Sequence, residues 1–200
     1  MAGRREAHAD DTRRALLAAA RRVFARRGYV AASLDDIAER ARLTKGALYH
    51  HFSSKAALLE AVYVEIEGEL AVRVTSALAA AGDDAWAGML AAVDAFFTAS
   101  TEPEYIQIVL RDAPHVLGRR HGREIDQAIG LGLVVELVTR LTAHGLLRPL
   151  PATTTARVLL AAASEVAISI AEAEAGERET VQREGMAVIL ALLEGLRLAS

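Results

Sequence analysis

Apolar positions recur along this chain at helical spacing from end to end. Leu16, Ala20, Val23 and Phe24 follow the i, i+4, i+7, i+8 stripe of an amphipathic helix, with Arg13, Arg14, Arg21, Arg22, Arg26 and Arg27 filling its other faces. Thr12 can cap this first helix and Gly28 can end it. Ser33-Leu-Asp-Asp36 reads as a capping-box variant with Asp36 in place of the usual Glu, opening a second helix with Leu34, Ile37, Ala38 and Ala41 inward. After a short turn over Arg42 and Leu43, Thr44 can cap a third helix that reaches His51 or Phe52. Ser53 or Ser54 caps a fourth, unbroken to about Ala81. Asp83 or Asp84 starts a fifth that reaches Ser100, and Pro103 fits the first position of the next. Pro114 predicts a break near Asp112-Ala113. A further helix is expected from about Arg123 to His144, stopped by Gly145. Leu146 to Pro151 reads as a loop. Thr153 to Thr155 offer caps for a helix to about Ala175, and a last one runs from about Arg178 to Leu198. No strand-like alternation, internal repeat or low-complexity linker interrupts the pattern, so the fold class is all-α, with the fourth helix joining head and body.

Composition narrows the class. The chain has 200 residues, 52% hydrophobic and 24% charged, enough to bury a sizeable core. With no Cys there are no disulfides and no thiolate metal sites. No uninterrupted apolar run approaches the roughly 20 residues of a membrane span, and MAGRREAHADDTRR lacks the apolar core of a secretory signal. A cytoplasmic location without membrane contact is the expectation. Charge is uneven. Residues 1–60 hold 12 Lys and Arg against 7 Asp and Glu, a net +5, whereas residues 61–200 carry a net −8. A basic head on an acidic body fits a polyanion-binding module joined to something else.

The second helix, the turn and the third helix have the dimensions of a helix-turn-helix, whose second helix meets base edges in the major groove. Leu48 and Phe52, four apart, can pack toward Phe24, Ile37 and Leu43, leaving Lys45, Gly46, Tyr49 and His50 on the other side. Gly46 and Ala47 add little bulk, so a DNA backbone can approach closely. Lys45 supplies a cation, Tyr49 a hydroxyl for a phosphate, and His50 a group for a base edge or a phosphate. Ser33 and Thr44 stand at helix N-termini, where free N–H groups favour an anion, and Lys55 repeats the device at the start of the fourth helix. Partners implied are double-stranded DNA and no membrane.

Residues 12–62, which include "ALLAAARRVFARRGYVAASLDDIAERARLTKGALYHHFSSKAALLEAV", resemble the DNA-binding domain of the TetR family of transcriptional regulators. Phe24 before Gly28-Tyr29, the Ser33-Leu34-x-x-Ile37-Ala38 start, and Lys45-Gly-x-Leu-Tyr-x-x-Phe52-x-x-Lys55 carry the likeness. The family often has Gly in the turn where this chain has Arg42. A left-handed Arg there would cost roughly 1 kcal/mol. "LRDAPHVLG", Leu110 to Gly118, and "LLRPLPATTTARVLLAAASEVAISIAEAE" look like stretches of one TetR subgroup. The resemblance implies a DNA-binding domain over residues 10–56 and a helical ligand-binding and dimerisation domain over 57–200. It also implies a homodimer in which the last two long helices of each subunit form a four-helix bundle. Val158 to Ala175, apolar around most of its circumference, agrees with such an interface, though a helix buried within its own monomer would look the same.

Other chemistry finds little footing. His50 and His51 are adjacent and point apart on a helix, so they do not chelate one ion easily. No Glu-x-x-His pair, Walker loop, dinucleotide fingerprint or nucleophile elbow occurs. No metal or cofactor is expected. Trp86, Met89, Phe96, Phe97, Tyr105 and His115 are candidates to line an effector pocket. Glu165, an acid in an apolar helix, could face a ligand, bridge a dimer or reach solvent. Two readings follow. The first is a homodimeric DNA-binding repressor released by a small apolar or amphipathic effector. The second is an all-helical enzyme or binding module with an incidental basic head, which leaves the phosphate-binding devices unexplained.

Overall fold

The computed structural model describes residues 2–198, so the first residue and the last two of the expected body lie outside the described residues. Every regular element among the described residues is helical, apart from one isolated antiparallel bridge between Leu147 and Arg197. It forms two compact units. The first comprises the chain up to Ile66 together with Pro103–Arg119, and the second comprises Glu67–Glu102 and the chain from Arg120 onward. Residues 103–119 thus belong to the same compact unit as the helix-turn-helix.

In the first unit, α1 (Ala2–Ala31) packs against α2 (Leu34–Arg40), and α2 against α3 (Lys45–His51). Leu16, Ala20, Phe24, Ile37, Leu48, Leu58 and Leu59 are fully buried between them and the start of α4 (Lys55–Ala80). Each of the larger side chains, the Leu, Ile and Phe, contributes roughly 1.5–3 kcal/mol of hydrophobic stabilisation. The α1 helix begins ten residues before Thr12, so Thr12 lies mid-helix and is not its cap. Ala2 to Asp11 contains no Pro, and its single glycine, Gly3, lies in the first turn, where it does little to stop propagation. At Gly28 the backbone turns left-handed, with φ 70°, and the helix is interrupted there. A Cβ at this position would lie 3.0 Å from Gln107 Nε2, the movable end of a flexible side chain, so it is the backbone conformation that calls for glycine.

Residues 103–116 also belong to this unit, as α6 (Pro103–Tyr105), a π-helical segment Ile106–Asp112 and α7 (Ala113–Val116). The break expected at Pro114 does not occur. The preceding turn widens instead, the Ala113 N–H reaching the Ile108 carbonyl five residues back. A wider turn relieves the clash that a proline ring makes with the carbonyl four residues earlier.

In the second unit, α5 (Ala85–Ser100), α9 (Gly132–Ala143), α10 (Ala152–Glu172) and α11 (Arg178–Gly195) surround Met89, Phe97, Leu141, Ile170 and Leu193. Between α8 (Arg119–Asp126) and α9 lies a second π-helical segment, Gln127–Leu131. The helix expected from Arg123 therefore starts four residues earlier and is not uniform. Thr153 to Thr155 do not cap α10: Pro151 holds the N-cap position with no side-chain cap. The α10 helix ends at Glu172, not near Ala175. The expected loop after α9 pairs with the end of the chain, Arg148 N–H donating to Leu196 O at 3.0 Å and Leu198 N–H to Leu146 O at 3.1 Å. By length and composition α10 could cross a membrane, with 22% of its most apolar stretch buried. Its packing against α9, α11 and α5 is that of a bundle helix with one free face.

Candidate nucleic-acid interface

Each helix of the motif opens on a side-chain cap. Ser33 Oγ accepts from the Asp35 and Asp36 amides at 3.1 and 3.5 Å. Thr44 Oγ1 accepts from the Ala47 amide at 3.1 Å, and Ser54 Oγ from the Ala57 amide at 3.0 Å. Such caps are worth about 1 kcal/mol apiece. The turn between α2 and α3 is a Schellman motif. The Leu43 amide donates to Ala38 O and the Arg42 amide to Glu39 O, both at 2.9 Å. The motif requires a left-handed residue, and Arg42 supplies it at φ 58°. The same motif closes α9, where Gly145 takes that position at φ 69° without steric cost. The turn keeps its geometry with Arg, at a cost of about 1 kcal/mol.

This turn sets the face of α3. Leu48 and Phe52 are buried, while Thr44, Lys45, Gly46, Tyr49 and His50 are exposed and Ala47 is half-buried. A Cβ added to Gly46 would find only Thr44 Oγ1, at 3.8 Å, so nothing inside the protein requires glycine there. The hydroxyls of Ser33 and Thr44 accept from the helix N-terminus and keep their own protons for an outside acceptor.

Two cations are held differently from expectation. Lys55, expected at a phosphate, turns inward. Its Nζ donates to Tyr29 O at 2.8 Å and Ala32 O at 3.0 Å, and lies 4.3 Å from the Tyr29 ring centre. It satisfies carbonyls at the end of α1 and fixes the entry to α2. Lys45 is exposed, but its Nζ sits 2.8 and 3.0 Å from the two oxygens of Asp35. The hydrogen bond to Asp35, then the carboxylate's charge, raises its pKa above the ordinary lysine value. Asp36 pairs in the same way with Arg27 of α1. Neither Asp112, whose Oδ2 accepts from the Tyr29 amide at 2.8 Å, nor Asp35 was expected to matter. Asp112 acts across 83 residues of sequence, a span that leaves no local signal.

The effector-pocket candidates separate. Met89 and Phe97 are buried in the second unit, with Trp86 and Phe96 packed against its core. Arg197 lies over the Trp86 ring at 4.4 Å. Tyr105 is buried in the first unit. His115 and Glu165 are both exposed in the single chain, so neither lines an enclosed site within its own unit. His115 Nδ1 meets Arg111 O at 2.6 Å, one turn back on its own helix. Among the described residues no cluster of metal-ligating side chains occurs.

A capped helix-turn-helix that presents a polar, aromatic and cationic face, followed by a separate helical unit, defines a DNA-binding regulator. The signature of bacterial regulatory proteins of the tetR family matches residues 16–62, and that of the tetracyclin repressor-like C-terminal domain matches residues 86–196. A crystal structure of a TetR-family transcriptional regulator from Pectobacterium atrosepticum superposes with a TM-score of 0.85. It is 34% identical and covers 96% of this chain and 97% of that one. The transcriptional activator FasR of Mycolicibacterium smegmatis is 46% identical over 88 residues, 44% of this chain and 40% of FasR. The regulator TtgR of Pseudomonas putida is 44% identical over 62 residues, 31% of this chain and 30% of TtgR. The chain therefore spans less than half the length of these two curated relatives. The chain belongs to the TetR family of transcriptional regulators.

Proposed function

We propose that this protein is a homodimeric, ligand-responsive repressor acting in the cytoplasm. Residues 10–56 bind operator DNA, and residues 57–200 bind the effector and form the dimer. The observation that carries the reading is the α3 surface: Thr44, Lys45, Gly46, Tyr49 and His50 are exposed together, and the fold gives Gly46 no internal reason to be glycine. Ser33 and Thr44 set backbone register, Lys45 and Tyr49 hold phosphates, and His50 reads a base edge or a phosphate. Lys55 supports them from within. The inner side of α5 and α9, with Met89, Phe96, Phe97 and Trp86, is apolar, which favours a small apolar or amphipathic effector. Because α4 continues from the first unit into the second, an effector that binds two α4 orientations unequally changes the spacing of the recognition helices.

Duplexes selected from a random pool by the full-length protein test the reading. Enrichment of a near-palindrome with half-site centres about 34–36 Å apart supports it. Binding that is equal for all duplexes, or absent at low salt, removes it in favour of an all-helical enzyme or binding module. Repression is read from a reporter carrying the selected duplex over its promoter, and increased expression would make the protein an activator.

A further inference from the structure

Asp35 occupies the first turn of α2, beside the cap of the recognition helix. Its carboxylate lies against Lys45 Nζ at 2.8 and 3.0 Å, and the pair is exposed at 67% and 52% of their side-chain surfaces. The fold has little need of it. Ser33 already caps α2, and Asp36 already supplies an acid to the helix N-terminus and a partner for Arg27. A solvent-exposed pair contributes about 0–1 kcal/mol to stability. On a surface that meets DNA, however, a full negative charge beside the leading lysine of the recognition helix has a large effect.

We propose that Asp35 is a specificity-determining residue, holding Lys45 so that the head binds poorly to random-sequence DNA while leaving operator binding largely intact. The proposal rests on the DNA-binding reading of this head. Non-specific association is driven by counterion release, so it follows the net charge of the contacting face. Asp35 cancels one cation there per protomer. In a seated complex, base-edge contacts fix α3 and Lys45 can bridge, one N–H on Asp35 and another on a phosphate oxygen. Removing the carboxylate then frees no new contact. In a loose complex it frees a whole charge, worth roughly 8-fold in affinity per protomer at 0.1 M salt, from a slope near 0.9 per phosphate.

The test uses full-length protein, the duplex that wild type enriches from a random pool, and a scrambled duplex of equal composition, titrated by anisotropy across a salt series. Asp35→Asn should tighten the scrambled duplex about 5- to 10-fold per protomer and steepen its salt slope by about one unit. The enriched duplex should change less than about threefold, so discrimination falls. Asp35→Ser, the second neutral variant, should behave alike, and adding Lys45→Gln should return scrambled-duplex affinity toward wild type. A purely structural role would lower the melting temperature without moving the salt slope. Equal change on both duplexes, or none, overturns the proposal. A shift in base preference at one operator position overturns it too, because Asp35 would then read a base. If wild type enriches no sequence, the DNA-binding reading fails first and the proposal falls with it.

Discussion

Tyr29 is held on three sides. Its N–H donates to Asp112, its carbonyl accepts from Lys55, and its ring lies under the Lys55 ammonium and beside Phe24, at 6.0 Å between ring centres. Lys55 therefore acts by fixing the end of α1, from which α2 departs. Hydrogen bonds to a charged group contribute about 1.5–3 kcal/mol, and Lys55 is half-buried. Lys55→Ala should therefore cost about 1–3 kcal/mol in chemical denaturation and leave the salt dependence of DNA binding unchanged. A salt slope lower by about one unit per protomer would return Lys55 to the phosphates. Gly46 predicts opposite signs for stability and function. A Cβ there has room, so Gly46→Ala should stabilise the short helix by about 0.5–1 kcal/mol. The same methyl lies where a backbone would approach, and overpacking costs roughly 1–3 kcal/mol, about 5- to 150-fold in Kd. A variant that melts higher and binds DNA as tightly as wild type would take Gly46 out of the interface.

Elements whose ends are set by a local side chain were legible in the sequence. Ser33, Thr44, Ser54 and Asp84 cap α2, α3, α4 and α5 where their residue types predict. The exposed face of α3 followed from its period alone, because Leu48 and Phe52 fix its inner side. What escaped depends on tertiary placement. The π-helical turn before Pro114 is a choice between helix types that propensity does not encode. The clasp on Tyr29 joins residues far apart in the chain, and the Asp35–Lys45 pair forms only once the turn has closed. The α10–α11 crossing is another such case. A Cβ on Gly185 would lie 2.2 Å from Val166 Cγ1 and 3.2 Å from Val166 Cβ, so these helices approach only because one residue has no side chain. Gly185→Ala should destabilise the protein by about 1–3 kcal/mol despite the better helix propensity of alanine. Val166→Ala in the same chain should recover part of the loss, measured by urea denaturation. A stable single variant with no gain from the second change would mean that the crossing tolerates the methyl.

In the single chain, α10 and α11 each leave an apolar face uncovered. On α10, Val158 and Ile168 are exposed on the face that carries Ala161 and Glu165, and on α11 Val188 and Leu192 are exposed beside Ala187 and Ala191. A helix of a closed monomer buries its apolar stripe. Here the stripe is doubled, one side facing Leu141, Ile170 and Leu193 and the other facing solvent. A second copy of the chain, related by a two-fold axis, would cover the outer side with the same surface. A second head would then stand one groove repeat away, as a palindromic site requires. Position decides how to test this. Ala167, central in α10, is buried within the monomer, so a charge there would disrupt the fold before it disturbed any interface. Leu192 is 46% exposed in the single chain and tolerates a charge in the monomer. Burying that uncompensated charge in a dimer would cost about 3–5 kcal/mol, a factor of more than a hundred in the association constant. Leu192→Glu should therefore keep its helical circular dichroism and its melting cooperativity, sediment as a monomer at concentrations where wild type is dimeric, and bind the enriched duplex no better than a half-site. A variant that stays dimeric, or a wild type that is monomeric at micromolar concentration, would show that this face serves some other purpose than joining two copies.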